Sequence, residues 1–241
     1  MMSNLYYKGD IITVGGDGIN NLAGKKIVAL GDSNTQYMEG DDGLAPNIIR
    51  LTGCLSLQNE GHAGCTWGYT SNDPTTTDGG HCISMVNKLC NPYIAQGYSD
   101  EFDIVTMMYG TNADVGGIGT SASTDVTTTW GAMKYCFDKL LYYFRYGKIG
   151  VLLPPQRGAG IMTETIAAVK ECCELYSVPY YDMSGQGQIP GNQCMPLSIA
   201  EQHLPNDGYG QIYFGDNVHF SNIGKHQFYN KYAAFLRRLV G

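Results

Sequence analysis

From Lys25 onward the chain alternates short, continuously apolar runs with longer stretches of helical periodicity. That alternation constrains the fold more than any other feature. The runs KKIVAL (25–30), FDIVTMMYG (102–110), KIGVLLPPQ (148–156) and VPYYDMS (178–184) are each closed by Gly, Pro or a polar residue. Strands buried on both faces read this way. SLQNEG (56–61) reads as a shorter strand ending in a turn. Between them, 44–55, 81–93, 124–146 and 162–177 carry helical spacing, and SNIGKHQFYNKYAAFLRRLV (221–240) closes the chain as an amphipathic helix with Ser221 as N-cap. The third of these sets Trp130, Met133, Phe137, Leu140, Leu141 and Phe144 on one side. Strands alternating with helices predict an α/β protein whose mostly parallel sheet is covered on both faces. In such sheets ligands bind beyond the carboxyl ends of the strands.

The 241 residues suffice for one sizeable domain that buries roughly 70% of its unfolded surface. Residues 1–24, Gly- and Asn-rich with one β-like run over 11–14, read as an arm or linker remnant, and 25–241 as the domain proper. The stretch 185–221 is too long for a plain connection and is expected to be functional. A net charge of −7 argues against a nucleic-acid partner, which needs clustered Lys and Arg. The basic pair Arg237-Arg238 suits the end of a terminal helix. No apolar run approaches the length of a membrane span, and MMSNLYYKGD lacks the apolar core of a signal peptide. Cytoplasmic synthesis is therefore expected, with release or attachment to a larger assembly left open. The eight cysteines form no C-x-x-C pair and several lie in apolar segments, so reduced, buried thiols are expected rather than a metal site.

In VALGDSNTQYMEG (28–40) a buried-looking strand hands over to Ser33 at its tip. Three readings are open for that serine: a helix N-cap, a phosphate ligand or a nucleophile. A nucleophilic serine needs a base within hydrogen-bond reach. Of the five histidines, His219 in GDNVHFSNIG (215–224) stands just before the last helix with Asp216 three residues earlier. Side chains at that spacing share a face in a turn or helical coil, so Asp216 can orient the imidazole and stabilise its protonated form. Acyl transfer also needs donors for an oxyanion, and glycine leaves backbone N–H groups open to a ligand. NEGHAGCT (59–66) supplies Gly61 and Gly64, Asn112 adds an amide after the next strand, and the Ser33 N–H is a third donor.

Taken in order, G-D-S after the first strand, N-x-G-x-x-G after the second, G-x-N after the third and D-x-x-H before the last helix resemble the SGNH (GDSL-like) hydrolase superfamily. The resemblance spans residues 25 to 240. It implies a three-layer α/β/α flavodoxin-like fold and ester hydrolysis without a metal or cofactor. It implies Ser33 as nucleophile, His219 as general base and acid, and Asp216 as its orienting partner. The oxyanion hole would be the Ser33 N–H, the Gly64 N–H and the Asn112 amide. Two departures stand out. Asn34 occupies the position where leucine commonly follows the serine. Gly110-Thr111-Asn112 is followed by Ala113 and only then Asp114, where the family pattern places the carboxylate directly after the asparagine.

Trp67 and Tyr69 follow the proposed oxyanion turn, and Tyr37 follows the serine. These rings could floor a sugar site or pack beneath the loops. Tyr209 and Tyr213 in the long loop also suit a planar, polar ligand. The favoured reading is an esterase for short, acetyl-type esters on a carbohydrate. A lipase or lysophospholipase-type esterase and a catalytically silent glycan-binding module on the same fold are the alternatives. A nucleotide-binding role is disfavoured, since VGGDGIN (14–20) precedes the first good strand and matches no dinucleotide fingerprint. The oligomeric state is left open.

Overall fold

Period-two alternation within each central strand decides how the layers form. The structure, a computed structural model, describes residues 4–7, 10–13, 21–155, 162–183, 216 and 218–241. Strand β1 (Asn4–Tyr7) pairs antiparallel with β2 (Asp10–Thr13) as a separate two-stranded sheet. The main sheet contains β3 (Lys26–Gly31), β4 (Ser56–Gly61), β5 (Ile104–Met108), β6 (Lys148–Leu153) and β7 (Tyr180–Asp182) in the order β4-β3-β5-β6-β7. All its pairings are parallel. This is the doubly wound, flavodoxin-like order, with the topological switch between β3 and β5.

The helices are α1 (Ser33–Gln36), α2 (Leu44–Thr52), α3 (Cys82–Cys90, followed by a 3₁₀ turn over Asn91–Tyr93), α4 (Thr129–Tyr143), α5 (Thr163–Leu175) and α6 (Asn222–Val240). Ile27, Ala29, Ile104, Met108 and Leu152 join Leu44 and Ile48 of α2 and Phe228, Tyr232 and Leu236 of α6 in one core. Val28, Leu30, Val105, Met107, Val151 and Leu153 face the other way, onto α3, α4 and α5. Gly150 lets α6 approach the sheet, since a Cβ there would lie 2.8 Å from Leu239 and Phe235. Thr106 Oγ1, buried under α6, is hydrogen-bonded to Tyr232 at 2.5 Å.

One helix start and one side chain differ from the sequence expectation, each for a local reason. Helix α4 starts at Thr129 rather than near 124 because the Thr128 side chain caps it, accepting from the Gly131 N–H. Leu141, expected on the apolar side, is 43% exposed, because the buried stripe runs through Met133, Phe137 and Leu140, and the next residue is rotated about 100° away. Ser221 does cap α6, accepting from the Gly224 N–H. The Arg237 guanidinium in its last turn donates to the Leu51 carbonyl of α2. Seven cysteines are free and buried, and burial pushes the Cys90 and Cys172 thiols up to about 12. Cys194 lies outside the described residues, as do Tyr209, Tyr213 and nearly all of the long loop before α6. Among the described residues no helix is long and apolar enough to cross a membrane.

Gly61, last residue of β4, faces the α1 turn so closely that an added Cβ would lie 2.2 Å from the Gln36 nitrogen and 2.6 Å from the Thr35 carbonyl carbon. Both contacts are backbone and cannot swing away. Gly61→Ala is therefore expected to destabilise the fold by about 2 kcal/mol or more in a urea titration. An unchanged midpoint would contradict this packing.

Candidate active site

The three strands that end in candidate motifs end level. Gly31 is registered against Gly61 on one side and Met108 on the other. The loops that follow, starting at Asp32, His62 and Tyr109, therefore leave the sheet from the same edge. The His62 N–H donates to the Gly31 carbonyl at 2.9 Å, and the Asp32 N–H to the Met108 carbonyl at 3.3 Å.

Ser33 is the first residue of α1, and the cap is Asp32, whose Oδ1 accepts from the Asn34 N–H at 2.9 Å. The N-cap reading of Ser33 is thereby corrected. Because Asp32 takes that task, the Ser33 hydroxyl is free for another partner. It meets His219 Nε2 at 3.0 Å, although its residue is only 5% exposed.

His219 comes from the segment just before α6. Its Nδ1 lies 2.8 Å from Asp216 Oδ2. Asp216 Oδ1 accepts from the N–H groups of Val218 and His219, both at 2.7 Å. One carboxylate thus shapes the turn and grips the ring. Burial opposes ionisation of Asp216, but the hydrogen bonds from the His219 ring and the two backbone N–H groups outweigh it and bring the carboxyl down to about 2. An ionised Asp216 can only accept, so the proton sits on Nδ1 and Nε2 offers its lone pair to Ser33. The Tyr37 ring meets the imidazole edge-on at 4.7 Å and is 49% exposed, at the rim of this cluster.

Gly64 follows β4 in a left-handed conformation, φ +74°, which glycine adopts without strain. A Cβ there would meet nothing within 4 Å among the described residues. Among the described residues, neither the Gly64 nor the Ser33 N–H has an acceptor. The loop is pinned around Gly64: the Ala63 N–H donates to Gln36 Oε1 at 2.7 Å, and Asn112 Nδ2 donates to the Cys65 carbonyl at 3.0 Å. Asn112 keeps a second amide hydrogen for another acceptor. The structure thus brings Ser33, His219 and Asp216 into one hydrogen-bonded series, and sets Gly64 and Asn112 on adjacent tethered loops.

Trp67 departs from the expectation that it floors a ligand. It is fully buried and packs against Tyr109 and Phe137, with ring centroids at 5.5 and 6.4 Å. A large indole following a tightly pinned turn finds more apolar area beneath the loop than above it. Tyr69 lies half-buried, edge-on to His81 at 5.5 Å. Two contributors escape a motif reading. Gln36, one turn after Ser33, shows only its helical spacing. Asp32 is visible solely as the residue beside the serine. Its carboxyl is wholly buried, and that burial pushes it up to about 6 against the opposing pull of the Asn34 N–H, Thr111 and the His219 charge.

No family model matches this chain, and no curated protein matches it in sequence. Solved structures do match in fold. An inhibitor-bound aryl esterase of M. smegmatis superposes with a TM-score of 0.55 at 16% identity, over 89% of this chain and 99% of its own. A member of the lipolytic protein G-D-S-L family from Veillonella parvula gives 0.55 at 17% identity, over 89% and 99%. A protein from Lactobacillus plantarum gives 0.64 at 17%, over 90% and 98%. The chain therefore shares the α/β fold of these structures, an all-parallel five-stranded sheet with helices around it.

The raised Asp32 carboxyl has a pH signature with a definite sign. The folded protein holds this proton up to about pH 6, whereas an ordinary aspartate releases it near 3.8. Stability from this group is thus full at low pH and is lost as pH rises from about 4 to about 6. Asp32→Asn keeps the capping oxygen and removes the titration. Its stability relative to the parent is expected to rise by up to roughly 3 kcal/mol between pH 4 and pH 7 in urea titrations. A difference that stays constant with pH would contradict a buried, proton-binding Asp32.

Proposed function

We propose that this chain is a serine esterase that hydrolyses short-chain esters through an acyl-enzyme. The observation that carries this reading is the series Asp216 Oδ2, His219 Nδ1, His219 Nε2 and Ser33 Oγ, with separations of 2.8 and 3.0 Å. A structural serine needs no such arrangement, and the capping task is already met by Asp32.

In the proposed cycle, Ser33 Oγ attacks the ester carbonyl carbon as its proton passes to His219 Nε2. The carbonyl electrons move onto oxygen, where the Ser33 N–H, the Gly64 N–H and the Asn112 amide receive the negative charge. Asp216, ionised at any pH above about 3, holds the ring and offsets the imidazolium charge. Collapse breaks the carbon–oxygen bond to the alcohol, which leaves with the proton from Nε2. Water then repeats the sequence on the acyl-enzyme, releasing the acid and restoring Ser33. None of these steps calls for a metal or cofactor. The half-exposed Tyr37 ring beside His219 supports an alcohol component that can stack on an aromatic face, such as an acetylated sugar. Short acyl groups on a carbohydrate are accordingly the proposed substrates.

The test is hydrolysis of p-nitrophenyl acetate and of longer p-nitrophenyl esters. Ser33→Ala is expected to lower kcat by at least about a thousandfold with an unchanged circular dichroism spectrum. Acetate should be turned over faster than octanoate. Full activity in Ser33→Ala would remove the assignment.

A further inference from the structure

Asp114 is a buried carboxylate that the proposed cycle leaves without a task. It is only 7% exposed. Its Oδ1 accepts from the Gly68 N–H at 2.6 Å and its Oδ2 from Thr129 Oγ1 at 2.6 Å. Gly68 is fitted to this contact, since an added Cβ would lie 2.6 Å from the Val126 carbonyl and 3.1 Å from Asp114 Oδ1. Thr129 is the first residue of α4, so the positive end of that helix also faces the carboxylate. Burial pushes the carboxyl up, while Thr129, Gly68 and Thr66 hold it back.

The position of these bonds matters more than their number. Asn112 and Asp114 both reach the loop that carries Gly64: Asn112 Nδ2 holds the Cys65 carbonyl at 3.0 Å, and Asp114 holds the Gly68 N–H. The two segments that would supply the side-chain and backbone oxyanion donors are thus joined at two points. Ala113 displaces the carboxylate by one residue from the usual G-x-N-D spacing, and Asp114 still ties its segment to this loop.

We infer that Asp114 is a positioning residue that fixes the Gly64 loop against Asn112 and so sets the geometry of the oxyanion site. The inference rests on the esterase reading above. An oxyanion donor acts only within hydrogen-bond reach of the developing charge, and a misplacement of about 1 Å can cost on the order of a hundredfold in rate.

The experiment compares Asp114→Ala, Asp114→Asn and Thr129→Val on p-nitrophenyl acetate, with thermal melts of each. Asp114→Ala is expected to lower kcat by about ten- to a hundredfold with KM within about threefold, as the loss of a transition-state contact requires. Asp114→Asn keeps an oxygen for Gly68 and can turn its amide toward Thr129, so it should recover most of kcat. Thr129→Val removes only the contact to α4; its Tm should fall while kcat stays within about threefold. If Asp114→Ala does not fold, Asp114→Ser, too short to reach Gly68, carries the same expectation. Full kcat in a folded Asp114→Ala or Asp114→Ser overturns the inference. So does a Thr129→Val variant that loses kcat in step with its Tm, because the effect would then be one of stability alone. Wild-type protein with no Ser33-dependent hydrolysis overturns the esterase reading, and the inference falls with it.

Discussion

The common level at which β3, β4 and β5 end is the constraint on which the rest of the site depends. Parallel pairing puts Gly31 beside Gly61 and Met108, so three loops depart from one edge of the sheet. Two glycines make this edge thin. At Gly31 a Cβ would lie 2.0 Å from Thr35 Oγ1, and at Gly61 it would lie 2.2 Å from the Gln36 nitrogen. The α1 turn therefore rests directly on strand backbone, and Ser33 is carried on a support with little room to shift. Packing of this kind transmits small displacements instead of absorbing them.

Against this rigid half stands a partner from the far end of the chain. The contact between Ser33 and His219 joins residues 186 positions apart. Helix α6 makes it possible by packing Phe228, Tyr232 and Leu236 on the sheet face that also holds α2. Ser221 caps α6 just after His219, and Asp216 forms the turn just before it. The histidine is thus placed by a helix start on one side and a carboxylate-stabilised turn on the other. Two carboxylates near one serine differ in environment: Asp216, hydrogen-bonded to histidine and backbone, is held at about 2, whereas the buried Asp32 is pushed to about 6.

Much of this was legible before any coordinates. Buried parallel strands are continuous apolar runs, so β3 and β6 lie where the sequence expects them and β5 and β7 fall inside the expected spans, while the largely polar β4 matches the short strand read before the Gly61 turn. Ser33, Asp216 and His219 each sit at an element boundary, in the order that resembles the SGNH pattern. What was not legible depends on contacts between distant segments. Nothing local says that Asp32 rather than Ser33 caps α1, since both residue types cap helices well. Trp67 looked like a ligand platform because aromatic residues near a polar turn can go either way, and only its packing on Tyr109 and Phe137 decides. The start of α4 at Thr128-Thr129 was obscured by a run of threonines, any of which could cap. The bond from Asp114 to Gly68 crosses 46 residues, and the sequence shows only a displaced carboxylate.

Covalent labelling with a fluorophosphonate would report whether Ser33 is the activated nucleophile proposed above. The probe reports the reactivity of one hydroxyl without requiring the natural ester. Intact mass should show one adduct per chain, peptide mapping should place it on Ser33, and hydrolysis of p-nitrophenyl acetate should fall in proportion. His219→Ala should label far more slowly. A folded protein that takes no label, or takes it at another residue while Ser33 stays free, would contradict the account.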